Sequence, residues 1–291
     1  MQRRFARGRR ARSGGSRTRG STVAGRPVSA KARAYTRWQR WRDAARRAGD
    51  AVHAGLWLGL LDRADLHAVD QDEYRRRTAY RSDAYNLSGL FEWERRMIDR
   101  HFPAAGPVVV LGAGGGREVL ALAGRGHRVA GYECHPLLVE AGRDLLRRTG
   151  SGEATLDRLG RDRAPSGGGP YAAAVVGWSA YMLMAGRGSR MSFLAGLHAV
   201  LAPDAPVLLS FAARSAGERR PAVVAAVAGP VRRLRRRPPV ELGDDLAPNF
   251  LHRFTEEELA EELTGAGYTP VDYAPGRAVT GEPGHAVARR C

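Results

Sequence analysis

The chain has 291 residues, 43% of them hydrophobic, which is room for one full α/β domain with additions and excludes a wholly disordered protein. Its formal charge of +17 is uneven: fifteen Arg and Lys31 against Asp43 and Asp50 give residues 1–50 a charge of +14, residues 214–239 carry +7, and the remainder stands at −4. Basic charge therefore does not mark the body as a nucleic-acid binder, and with no apolar run of about 18 residues a membrane span is excluded. The two cysteines, Cys134 and Cys291, fit neither a disulfide framework nor zinc spacing. That pattern points to a reducing, cytoplasmic setting and to no metal.

Residues 1 to about 30 are rich in Arg, Gly and Ser and have almost nothing to bury, so we expect disorder, within an Arg-rich arm set at 1–50. The Arg3-Arg4 pair lacks the apolar stretch a secretory signal needs. A nucleic-acid-binding arm, an organelle transit segment and an over-extended gene start remain open, with an arm lacking specific function or an over-extension favoured. From about Tyr35 to Arg100 the pattern turns helical, and a helical cap is set over 51–105, where Leu90, Trp93, Met97 and Ile98 fall at helical spacing. Tyr74 is expected to pack that cap, and Tyr80 and Tyr85 to line a mouth.

From residue 106 to 291 strands alternate with helices. Pro107–Leu111 reads as a strand, Arg117–Ala123 as a helix, His127–Glu133 as a strand and Pro136–Arg148 as a helix opened by proline. Tyr171–Trp178 is the most buried-looking strand, followed by a helix over Ser189–Leu201 and a strand over Pro206–Phe211. An insertion over 213–251 reads as a substrate cap. Its Pro221–Val231 helix ends in a basic run through Arg237, expected to be solvated rather than to draw an anionic or membrane-surface acceptor. A helix at Thr255–Leu263 and strands near Tyr268–Tyr273 and His285–Arg289 complete the pattern. This order predicts an α/β, doubly wound, Rossmann-like sheet, mostly parallel with a late antiparallel strand, plus the N-terminal helical cap.

Such sheets bind ligands beyond the carboxyl ends of their strands. There the chain places Gly112-Ala113-Gly114-Gly115-Gly116, with Glu133 closing the second strand, where a carboxylate accepts from both ribose hydroxyls of a nucleoside. A dinucleotide fingerprint would need glycine at position 117, which is Arg117, and no Walker lysine follows. The spacing favours an adenosyl cofactor over NAD.

Val108 to Glu118, followed by Gly131-Tyr132-Glu133, resembles the first two motifs of class I S-adenosylmethionine-dependent methyltransferases. The likeness continues through Tyr171–Trp178, Leu201–Leu209 and His252–Tyr268, and covers roughly residues 75–291. It implies S-adenosylmethionine as cofactor, with Gly112, Ala113, Gly114 and Gly116 under the methionine part, Glu133 and Cys134 at the ribose, and Gly177, Trp178 and Ser179 near the methyl group. Val110 and Ala172 stand where many members carry acids, and the Pro-Pro-Tyr signature of amino-methylases is absent after Val176. Asp157 and Asp162 are candidates for the adenine side, with a surface role favoured for both. His252 is the candidate general base, against a structural role, and Tyr181 a candidate acceptor contact, against a packing aromatic.

The favoured activity is methyl transfer to a small-molecule acceptor; the acceptor atom and the oligomeric state are not legible. Alternatives are an RNA-directed methyltransferase using residues 1–50, an aminopropyl transferase on the same fold, and a cofactor-binding module without activity.

Overall fold

The computed structural model describes residues 29–215, 217–277 and 281–291. The expectations for residues 1–28 lie outside that range. The chain divides into two units, Met1–Ala44 and Ala45–Cys291, and the helix α1, Ala30–Leu60, runs through the division. Residues 30–50 are thus helical, as expected from about Tyr35 onward, and the disordered arm drawn at 1–50 does not hold over 30–50. Ala and Arg, which dominate this stretch, are among the best helix formers.

In the second unit α2 (Arg63–Arg76) is capped by Asp62, whose carboxylate takes the Asp65 amide while Asp65 takes that of Asp62. A short turn at Thr78–Arg81, α3 (Asp83–Asn86) and α4 (Glu92–His101) lead into the sheet. Then follow β1 (Pro107–Leu111), α5 (Arg117–Ala123), β2 (Arg128–Glu133), α6 (Pro136–Thr149), β3 (Thr155–Arg158) and β4 (Ala173–Val176). The chain continues through a turn at Tyr181–Leu183, α7 (Arg187–Val200), β5 (Pro206–Ala213), α8 (Arg219–Leu234), β6 (Asp244–Leu246), β7 (Phe250–Phe254), α9 (Glu256–Gly265), β8 (Tyr268–Ala274) and β9 (Gly284–Arg290).

Strands β3, β2, β1, β4 and β5 lie side by side and parallel. On the far side of β5, β9 runs antiparallel along Pro206–Phe211, β7 pairs parallel with Ala212 and Ala213, and β8 pairs antiparallel with β9. This is the expected doubly wound, mostly parallel sheet with a late antiparallel strand. Alternate side chains feed two cores, as the twofold repeat of a strand requires. Val109, Leu111, Ala174, Val176, Val207 and Leu209 meet α7 and α9 on one face, while Val108, Val110, Val175 and Leu208 meet α4, α5 and α6 on the other.

The insertion at 213–251 carries α8, which packs on the second half of α1. The approach is close: a Cβ at Gly55 would lie 2.7 Å from the Val224 carbonyl oxygen. The basic run beyond α8 is not simply solvated. Arg232 and Arg237 each donate at 2.8 Å to carbonyls at the end of α1, those of Leu58 and Leu60, where cations offset the helix dipole. Among the described residues no helix is long and apolar enough to cross a membrane.

Candidate functional site

A cavity of about 290 Å³ opens at the carboxyl ends of β1, β2 and β4. Its floor is the turn after β1, where Gly112 and Gly114 have φ of +67° and +55°, a region that glycine enters without strain. Glu133, at the end of β2, is held in place by this turn. One carboxylate oxygen accepts from the Gly114 amide at 2.9 Å and the other from the His135 amide at 2.8 Å. No salt bridge forms on Glu133 among the described residues, so these two backbone amides, with the Cys134 thiol beside them, are what the protein offers it.

Of the sequence-predicted cofactor residues, Gly112, Ala113, Gly114, Glu133, Cys134, Trp178 and Ser179 line the cavity. Burial pushes the Cys134 thiol up to about 12, so it stays protonated and is no nucleophile. Ser179 holds a positive φ of 60°, unusual for a residue with a side chain. Its amide donates to the Ser210 hydroxyl at 2.7 Å, fixing the turn that carries Trp178. Gly116 and Gly177 do not reach the cavity. Gly116 caps α5; Gly177 is needed because a Cβ there would stand 2.4 Å from the Gly112 carbonyl oxygen.

The helical cap closes the cavity from above. Tyr74, Tyr80, Tyr85 and Asn86 all line it, so Tyr74 does more than pack the cap. The Tyr80 carbonyl sits over the glycine turn, 2.4 Å from where a Cβ on Gly115 would be, and Asn86 donates to that carbonyl at 3.0 Å. Asp162 also borders the cavity, whereas Asp157 is exposed and paired with Arg143. Part of the insertion, Ala247, Pro248 and Asn249, completes the wall.

The two candidate catalytic residues lie elsewhere. Tyr181 is fully buried, and its hydroxyl donates to Glu262 at 2.6 Å. His252, in the middle of β7, is 2% exposed with Nδ1 2.8 Å from an Asp244 oxygen. Neither lines the cavity. Both polar tips are engaged by carboxylates of the surrounding fold, which corrects the roles expected of them as base and acceptor contact.

Several cavity residues escaped the sequence. Asp70 on α2 pairs with Arg161 and accepts from Asn249 at 2.5 Å, joining segments far apart in the chain. Glu118 on α5 is buried against the cavity and takes Arg117 at 2.6 Å, while Arg117 also grips both oxygens of Glu94 at 2.6 Å. Burial raises the Glu118 carboxyl above its usual range, Arg117 opposes the rise and Glu94 adds to it. A charged pair at the start of an otherwise apolar helix was the available signal.

The sequence matches no family model, and no curated protein proves similar to it. Solved structures do share its fold. A S-adenosylmethionine-dependent methyltransferase from Methanosarcina mazei superposes with a TM-score of 0.54 at 18% identity, over 69% of this chain and 98% of that one. The Burkholderia thailandensis 1,6-didemethyltoxoflavin-N1-methyltransferase, with its substrate and S-adenosylhomocysteine bound, gives 0.54 at 21% identity, over 79% and 91%. A methyltransferase from Streptomyces caelestis gives 0.50 at 15%, over 67% and 93%. The fold is that of the class I S-adenosylmethionine-dependent methyltransferases.

Proposed function

We propose that this chain binds S-adenosylmethionine in the cavity and transfers its methyl group to a small molecule. The observation that carries this reading is Glu133, fixed by two backbone amides beside the glycine turn with its outer lone pairs turned to the cavity. A carboxylate so placed binds the two ribose hydroxyls of an adenosyl group. The Burkholderia structure of the same fold holds S-adenosylhomocysteine, in keeping with this assignment.

Charge agrees. Five acids line the cavity, Asp70, Glu73, Glu118, Glu133 and Asp162, against four arginines, Arg77, Arg117, Arg161 and Arg163, and Arg117 also serves Glu94. The cavity therefore favours a positively charged ligand, and the sulfonium and ammonium of the cofactor supply that charge. Held by Glu133 at its ribose and by the 112–116 turn under its methionine part, the cofactor would supply an activated methyl group to the acceptor. Because the leaving group is already activated, positioning can carry much of the rate. A second, more open hollow shares Ser179 and Met182 with the cavity and provides a route for the acceptor. The cap and the insertion wall off the cavity, which favours a small acceptor over a folded macromolecule.

Titration calorimetry with S-adenosylmethionine and with NADH tests the assignment: the first should bind and the second should not. Glu133→Ala should weaken the cofactor by about 1–3 kcal/mol, the scale of lost hydrogen bonds to a charged group. An intact chain that ignores S-adenosylmethionine overturns the reading.

A further inference from the structure

The longest helix carries a face whose chemistry does not belong to the cavity. In the first unit Tyr35, Trp38 and Trp41 are 59%, 51% and 68% exposed, and at the start of the second unit Val52, Leu56, Trp57 and Leu60 are exposed as well. Each set is periodic within its own unit: Tyr35, Trp38 and Trp41 are three residues apart in the first, and Val52, Leu56 and Leu60 four apart in the second. We propose that α1 docks the protein on an anionic lipid surface, lying in the plane of the headgroups.

Three observations converge on that occupant. Trp and Tyr are the residues that settle at a membrane–water interface, and α1 has three Trp and one Tyr. The helix also bears Lys31, Arg33, Arg37, Arg40, Arg42, Arg46 and Arg47 against only Asp43 and Asp50, which complements anionic headgroups. Ala51, Ala54, Gly55, Leu58 and Gly59 are buried, with Gly55 and Gly59 set against α8. The side of α1 that carries Val52, Leu56 and Leu60 therefore points away from the protein. The density of charge rules out insertion across the bilayer and leaves attachment to its surface.

A second copy fits less well, because it would bring together two helices that each carry seven cations against two acids. Nucleic acid would satisfy the arginines but leave Val52, Leu56 and Leu60 exposed, since bases stack on aromatic rings and not on aliphatic side chains. The proposal is independent of the cofactor reading.

Flotation of the full-length protein tests it, using vesicles of phosphatidylcholine alone and of phosphatidylcholine with phosphatidylglycerol. The protein should rise with the anionic vesicles, show a blue shift of tryptophan emission, and dissociate as salt is added. Changing Trp38→Ala and Trp41→Ala together should lower partitioning about tenfold or more at unchanged melting temperature. If that variant fails to fold, Arg37→Gln with Arg40→Gln, on the exposed helix, should give a similar loss. Failure to float with anionic vesicles overturns the proposal, as does flotation indifferent to both pairs of changes. Binding to a short RNA without vesicle binding assigns the face to nucleic acid instead. A dimer lost in the tryptophan variant, again without vesicle binding, assigns it to a second copy.

Discussion

Arg117 and Arg190 are each 1% exposed, and each stands between two glutamates. Around Arg190 the fold provides the missing donors. Tyr181 donates to Glu262, the Arg187 amide donates to Glu241 at 2.6 Å, and Glu241 keeps about a third of its side chain in contact with solvent. Burial pulls the Glu241 carboxyl upward, but that amide and Arg190 together hold it below its usual range. Around Arg117 the outcome is opposite: Arg117 and the backbone amides of Glu118 and Trp178 favour the charged form of Glu118, but burial and Glu94 outweigh them and its carboxyl is raised. The same ratio of cation to acid is settled by the protein in one place and left facing the cavity in the other. A buried carboxylate that the fold does not neutralise marks where a ligand's positive charge belongs.

The contrast also bears on Glu241, Asp244 and His252, whose ligand-type atoms lie within 4.8 Å of one another. Arg190 already reaches Glu241 at 2.8 Å and His252 Nδ1 lies 2.8 Å from Asp244, so each of the three has a partner within the protein.

The largest expected effect comes from removing either arginine. Arg190→Met or Arg117→Met strands buried carboxylates and should cost about 3–5 kcal/mol in urea denaturation. A loss below about 1 kcal/mol at either site would break the comparison. Next in size is a difference in pH dependence. Glu118 holds its proton more tightly folded than unfolded, so its stabilising contribution is full below the usual carboxylate range and is lost as pH rises through its raised value. Glu118→Gln should flatten the fall in melting temperature as pH rises above the usual carboxylate range, and saturating S-adenosylmethionine should flatten it in the wild type. An unchanged slope in the variant would remove Glu118 from the argument. The smallest effect belongs to Tyr181→Phe, which removes one buried hydroxyl, should cost about 1 kcal/mol and should leave cofactor affinity alone. A large loss of affinity with little loss of stability would return Tyr181 to the site.

Local patterns made much of this legible beforehand. The apolar run Val108–Leu111, the glycines after it and Glu133 lie within one β-α-β unit, so spacing alone brought them together. Helix α5 has the bounds expected for it, and Thr255 caps α9 with Glu258 returning the bond. What escaped depends on pairing at a distance. Nothing near Arg117 announces Glu94, nor does anything near Asp70 announce Arg161 and Asn249. His252 became a candidate base because it follows the insertion read as a substrate cap, whereas the β6–β7 register sets it opposite Asp244. The helical pattern from about Tyr35 was legible because Ala and Arg favour a helix, although the Arg-rich arm was drawn on to residue 50.

The position of β9 also constrains the order in which the molecule is assembled. Along Pro206–Phe211, β5 takes its outer hydrogen bonds from β9, which comes after α8, β6, β7, α9 and β8 in the chain. Until β9 arrives, most of the outer edge of β5 is open and β8 lacks the partner it has in the sheet. His285 on β9 also stacks on Trp93 of α4, at 4.9 Å between ring centres, so this late strand contacts a helix laid down before the sheet begins. Closure of the sheet is therefore a long-range event, slow relative to the local β-α-β units, and the growing chain carries an unpaired strand edge until it occurs.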